Sequence, residues 1–592
     1  MKSLNLHSDL NPQPQTIITP LKSTPLHQHR GTLLQAPQSD SITQDLQNLA
    51  KYRSKYSKSV LRLVFPCEDI KEYYYSYQQT QISHSKAINK ILIQNSKAPV
   101  SLTLTGNGRF DLPPLNLHYP LPSLQSLQNL TSLNFPLILD PSNGPHRTKL
   151  LSHTLTALKR LTNVSLEVSH PLRDNEIHSI LRSLCRLPSL SHLAINFSHV
   201  QLTSNLFQLL TLYISKLSHL KGLTLHFTHR SISGNLADLS PIFANLSLLS
   251  EFSIKLPNLR GFRTEATTTF LESLGTLKLL TKLHLEIPQD SDERINPLCT
   301  NLGKLNLFSL RELSLGLDWS LEDPAFMNLS SCLKEFSSLQ TLNLDFSESC
   351  YVTERSISQL ALDLEQLTEL SRLALTFPGK GMNRNPNMMN TFSQNLSYLT
   401  GLTDLTLNFS KCPQESADSV KLFSSSLVKL TGLKSLALIF RGNKTINNQT
   451  LEVLMKGVEK LEGLASLEID LRGLEVRNEG LQAIESSLSH LQNLKDLKLS
   501  LCSVSLKAVA SILEQVHSLY SFELKRFGRG SDSKGNELGF FLNVSRELVN
   551  LKKINLLFEC TPSGEIRVGP LKHQKCITIS TIEYNEYEYD FL

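Results

Sequence analysis

A curved α/β solenoid, with parallel strands lining a concave face and helices covering the convex face, is the fold class that this sequence predicts. Three observations predict it. A leucine phrase returns about every 30 residues, apolar residues alternate inside each phrase, and a helical apolar pattern fills the interval between phrases. Periods of this length mark stacked supersecondary units rather than one globular core. About 15 to 16 such units make the array a horseshoe.

The phrase has the form LxxLxxLxLxF, and its second leucine serves as an anchor. Anchors fall at Leu130, Leu161, Leu190, Leu220, Leu249, Leu280, Leu310, Leu339, Leu370, Leu402, Leu433, Leu464, Leu494, Leu519 and Leu551. Spacings are 29 to 32 residues, except 25 between Leu494 and Leu519. Within "LQTLNLDF", Leu339, Leu342, Leu344 and Phe346 carry the period of two expected of a short half-buried strand. The last apolar position is often aromatic, as at Phe197, Phe227, Phe346, Phe377, Phe409, Phe440 and Phe558. One ring per unit at one register predicts an internal column.

Between phrases the spacing changes to i, i+3, i+7, i+10. Ile177, Ile180, Leu184 and Leu187 show it, as do Ile357, Leu360, Leu364 and Leu367. Leu451, Leu454, Val458 and Leu461 repeat it, and so do Leu481, Ile484, Leu488 and Leu491. Each set is one face of an amphipathic helix. Stacked strand–helix units bury both faces in a parallel sheet backed by helices. Helices are wider than the strand spacing, so strands belong on the inner curve.

These phrases resemble the leucine-rich repeat superfamily, nearest its ribonuclease-inhibitor-like subtype. They are also similar to the large, mostly uncharacterised leucine-rich repeat families of single-celled eukaryotes. The resemblance covers residues 97–560. That subtype ties its loops with Asn or Cys just after the strand, where this chain has Ser169, Ser198, Thr228, Pro257, Pro288, Ser347, Pro378 and Ser410. Looser loops are expected. The resemblance implies a non-enzymatic protein–protein interaction scaffold. Its alternatives are a ubiquitin-ligase substrate-recognition subunit, with an F-box hidden in 43–96, and a GTPase-activating regulator of the Ran-activator type. The latter has a strongly acidic C-terminal tail and regular Asn positions that this chain lacks.

The organisation expected around the array follows composition. Residues 1–42 are a disordered Pro/Gln/Ser-rich tail in which Thr19-Pro20 and Thr24-Pro25 suit proline-directed phosphorylation. Residues 43–96 form an N-terminal cap or divergent first repeat, with a strand at Val60–Phe65 and a basic cluster at Lys51, Arg53, Lys55 and Lys58. The array spans 97–560. Residues 561–592 form a closing strand or hairpin and an acidic tail with Tyr584, Tyr587 and Tyr589, a docking peptide in the functional reading.

No catalytic, cofactor or metal constellation is written in the chain. Net charge is +6, the nine cysteines include no CxxC pair, and no P-loop, HExxH or GxSxG occurs. The Gly-rich "FGRGSDSKG" from Phe527 reads as a loop. His192, His226 and His284 fall in different strands and columns and read as solvated. Neither a signal-peptide h-region nor an apolar run long enough to span a membrane is present. The cytoplasm is the expected compartment, with the nucleus as the alternative.

The outward strand positions, four per unit, carry ten acidic and eleven basic side chains. A nucleic-acid track would be one-signed. The expectation is therefore a protein partner met by a monomeric array, without nucleic acid or membrane insertion. The candidate partner-binding residues cluster in the C-terminal repeats: Lys434, Glu468, Asp470, Lys495, Asp496, Lys498, Tyr520 and Lys525. Tyr520 is the only aromatic on that face.

Overall fold

The computed structural model describes residue 125 and residues 128–558, excepting 138–143, 169–171, 198–199, 201–202, 228–234, 257–263, 288–296, 306, 318–320, 348, 350, 380–386, 413–414, 503 and 528–535. It also describes four strands outside that range: Gln15–Ile18, Ser59–Phe65, Ser101–Gly106 and Cys576–Thr581. The basic cluster at Lys51–Lys58, the Thr-Pro pairs, most of "FGRGSDSKG" and the tyrosine tail lie outside the described residues.

The chain forms two compact units, Met1–Pro288 and Gln289–Leu592. In the first, strands Ser132–Leu137, Asn163–Val168, His192–Phe197, Gly222–Phe227, Glu251–Lys255 and Lys282–Glu286 pair in parallel, each with the next. Ahead of them, Ser101–Gly106 joins Ser132–Leu137 with Leu102 opposite Leu133. Ser59–Phe65 pairs with Ser101–Gly106, and Gln15–Ile18 with Ser59–Phe65.

The second unit repeats the arrangement through Glu312–Gly316, Thr341–Asp345, Arg372–Thr376, Asp404–Asn408 and Ser435–Ile439. It continues through Ser466–Asp470, Asp496–Cys502, Ser521–Phe527, Lys553–Phe558 and Cys576–Thr581. That last strand pairs in parallel with Lys553–Phe558. The fold is an α/β leucine-rich repeat solenoid.

The helical spacing found in the sequence matches Asp174–Leu184, Glu354–Leu364, Asn448–Val458 and Asn478–Leu488. The fourth leucine of each set, such as Leu461, lies just beyond the helix and is still buried. Thr203, Thr353, Ser416, Asn447 and Ser505 cap their helices by accepting amides from the first turn. Among the described residues, two repeats depart from α-helix. Leu236–Asn245 is 3-10 and holds Pro241, which has no amide to donate. Pro297–Asn301 is one short turn continued by 3-10 at Leu302–Lys304.

The aromatic column is internal. Phe377 and Phe409 stack at 4.5 Å, and Phe409 and Phe440 at 5.8 Å, with all three rings essentially inaccessible to solvent. Phe197 and Phe227 stack likewise at 5.2 Å. The side chain of Phe558 lies outside the described residues.

Among the described residues, side chains beyond the strand end tie some of the loops. Buried Asn443 donates to the carbonyl of Phe409 at 3.0 Å and accepts from the Thr445 amide at 2.9 Å. Buried Cys412 donates to the Pro378 carbonyl at 3.6 Å, and burial pushes its thiol well above the usual range. Each lies three residues past the column phenylalanine. Asp345, Asn408 and Asp470, the last outward residues of their strands, each accept the amide two residues on. That bond turns the chain at the end of the strand.

Candidate functional site

The outward face of the sheet in the second unit is built as rows that cross the strands. In the first row the backbone alone sets every position. The carbonyl of Thr403 accepts from both Lys434 and Ser435, that of Lys434 from Ala465 and Ser466, that of Ala465 from Lys495 and Asp496, all at 2.7–3.0 Å. Lys495 and Tyr520 continue the pattern to Ser521 and Lys553. Reading across, the first row is Lys434, Ala465, Lys495, Tyr520, Lys552. Where this row holds Ser or Thr in other repeats, as at Ser371 and Thr403, the hydroxyl turns back onto the same carbonyl. Of the lysines, Lys552 turns its ammonium onto the Val549 carbonyl at 3.1 Å.

The eight predicted residues divide between this row and the rows beyond it. Lys434, Lys495 and Tyr520 are exposed in the first row, and half-buried Asp496 follows in the second. Lys434 lies over the turn at Gly463, its ammonium only 3.0 Å from where a Cβ there would stand. Tyr520 is 43% exposed, with the Lys553 ammonium 6.0 Å from its ring centre.

The other four are occupied internally. Lys498 pairs with Glu468 across neighbouring strands at 3.3 Å, and Lys525 with Glu523 at 3.3 Å. Asp470 is 3% exposed, where the sequence pattern placed it on the surface. It receives Arg472 as a two-pronged pair at 2.6–3.0 Å as well as the Arg472 amide. The turn that Asp470 forms draws its carboxylate inward, and Arg472 stacks 5.1 Å over the Phe527 ring.

The balance of charge on the face conceals a segregation. None of the ten outward carboxylates stands in a first row, whereas five bases do: Lys221, Arg311, Lys434, Lys495 and Lys552. From strand Ser435–Ile439 to strand Lys553–Phe558, the first two rows hold four lysines against one carboxylate, Asp496. The deeper rows pair off.

In the first unit the histidines are closer than their sequence positions suggested. His226 and His284 stand two strands apart, but their ring centres approach to 6.4 Å, and His226 bonds Ser253 on the strand between at 3.2 Å. His284 reaches Glu286 at 3.3 Å and Lys255 reaches it at 2.5 Å. Burial, then the charges of His284 and Lys255, hold His226 below the usual imidazole range. His192 stays apart, bonded to Ser191. Among the described residues no group of three or more His, Cys, Asp or Glu side chains is placed to hold a metal, and no described helix is long and apolar enough to cross a membrane.

No protein family and no curated protein matches the chain. Solved structures similar to it include the TLR13–ssRNA13 complex, at 16% identity and a TM-score of 0.36 over 89% of this chain and 73% of that one. The yeast Rad7 and Elc1 complex is similar at 18% identity and a TM-score of 0.38, over 83% and 94%. Likeness of this degree says nothing of what this chain binds.

The Glu468–Lys498 pair and the segregation of the first row were missed in the sequence because each relates residues about 30 positions apart, whereas Glu523–Lys525 and Asp470–Arg472 are only two apart. The signal was available. Sorting the outward positions by row, instead of summing them, separates the bases from the acids.

Proposed function

We propose that the chain is a non-enzymatic protein-binding scaffold, and that its partner meets the second unit at the first row, around Lys434, Lys495, Tyr520 and Lys552. The observation that carries this reading is the segregation of charge. These lysines are not held in ion pairs within the sheet, while Glu468–Lys498, Glu523–Lys525 and Asp470–Arg472 neutralise one another. A partly exposed tyrosine among cations is the residue type on which protein interfaces concentrate affinity. The helix-backed repeats support placement near the ribonuclease-inhibitor-like subtype. The free thiols at Cys185, Cys299, Cys332, Cys412 and Cys502 support a reducing compartment, cytoplasm or nucleus.

Affinity capture from native lysate tests the reading with two variants. K434E/K495E/K552E reverses the row, and E468K/K498E exchanges an internal pair while keeping its charges complementary. A stoichiometric protein lost from the first variant and kept by the second is the expected result. Equal retention by both moves recognition off this row and defeats the proposal.

A further inference from the structure

The lysines of the first row recur with a period of their own. Lys434, Lys495 and Lys552 lead into strands Ser435–Ile439, Asp496–Cys502 and Lys553–Phe558, every second strand of the parallel run. Ala465 and Tyr520 lead into the strands between. Neighbouring strands stand about 4.8 Å apart, so the lysine positions repeat at about 9.6 Å on a line across the sheet. Lys498 and Lys525 add nothing to this line, because Glu468 and Glu523 take them up. The Val549 carbonyl accepts a bond from the Lys552 ammonium but does not cancel its charge.

A ligand that meets all three lysines must present negative groups at the same interval. In an extended strand, side chains on one face recur at about 6.8 Å and are out of step by the second lysine. An α-helix returns to the same face every seventh residue, at about 10.5 Å, and gains roughly 1 Å on the lysines at each step. A polyproline II segment has three residues per turn and a rise of about 3.1 Å, so every third side chain shares an edge at about 9.3 Å. That interval matches the row.

The positions between the lysines suit the same conformation. Half-buried Ala465 has no side chain beyond Cβ, so a ligand backbone can lie close between Lys434 and Lys495. Tyr520, 43% exposed, stands between Lys495 and Lys552. Aromatic rings are what proline-rich segments in this conformation pack against.

We propose that the first row takes an acidic polyproline II segment of a partner protein. Asp or Glu stands at every third position of that segment, one for each lysine, with proline among the residues between. This names the ligand of the site proposed above and rests on that reading.

The test uses the full chain and fluorescein-labelled synthetic peptides, read by fluorescence anisotropy. One peptide, EPAEPAEPA, carries glutamate at every third position. A second, EEEPAPAPA, has the same composition with its glutamates together. The native chain should bind the first at least about fivefold more tightly, the worth of two further exposed ion pairs. K434E/K495E/K552E should bind neither. A465K/K495A keeps the number of lysines in the row but shifts one by a single strand, and should bind the two peptides alike.

Equal affinity of the native chain for both peptides would overturn the proposal, as would a preference that A465K/K495A retains. Two further ligands are measured beside them: an alanine-rich helical peptide with glutamate at every seventh position, and a ten-nucleotide single-stranded RNA. Either one bound more tightly than EPAEPAEPA, and released by K434E/K495E/K552E, would overturn it too. The scaffold reading fails separately, through the capture experiment. A partner lost from K434E/K495E/K552E in a chain that binds both peptides alike would leave the row a binding site for a ligand of another conformation.

Discussion

At Glu286 the hydrogen bond from His284, then those and the charge of Lys255, hold the carboxyl down to about 2 against the opposing effect of burial. Its unfolded value is 4.5. A carboxylate lowered by folding contributes stability above pH 4.5 and loses it as pH falls through 4.5 towards 2. Glu286→Gln should therefore flatten the fall in urea midpoint between pH 4.5 and 2, while leaving its slope near neutrality unchanged. Elsewhere the consequences are those of packing. Phe409 touches the ring before it and the ring after it in the column. Phe409→Ala should cost about 3–5 kcal/mol, read as a lower urea midpoint. Asn443→Ala removes less volume but leaves the Phe409 carbonyl and the Thr445 amide unpaired inside the protein. A cost of about 1–3 kcal/mol is expected by the same measurement.

The helices are held to one another end to end, by carboxylates that reach into neighbouring repeats. Asp323 accepts the Thr353 amide at 2.7 Å and also the hydroxyls of Thr353 and Ser356, at the start of helix Glu354–Leu364. Glu415 accepts the amides of Met389 and Asn390 at 2.6 and 3.1 Å, at the start of helix Met388–Leu396. Glu537 receives the amide of Leu506 at 2.9 Å and the hydroxyl of Ser505 at 3.0 Å. A negative group is favoured at a helix N-terminus by the unpaired amides and the dipole. Replacing Asp323 by Ala should cost about 0.5–2 kcal/mol and speed amide exchange in the first turn of Glu354–Leu364, a helix that does not contain the substitution. Strand and helix positions were legible because each follows from residues within ten of one another. These caps were not, since Asp323, Glu415 and Glu537 look like ordinary surface acids until the register of adjacent repeats sets them opposite the amides. Asp470 was misplaced for a related reason: its turn with Arg472 depends on the loop, where repeat length varies.

Across the molecule, each repeat rests on its immediate neighbours, so a local injury should remain local. In Phe409→Ala, hydrogen exchange should quicken in helices Met388–Leu396 and Ala417–Leu427 and stay unchanged in Asp174–Leu184 of the other unit. Quickening throughout would mean that the array unfolds as one cooperative body. The same modularity governs the first row. There the strand starts are positioned by one carbonyl accepting two amides, a bond pattern that takes no account of the side chain. Lysine, alanine, tyrosine, serine and threonine all occupy the row on the same backbone. Such positions are free to drift, and a residue found there was not demanded by folding. The lysines of this row therefore sit in the part of the fold that can be rewritten without rebuilding it.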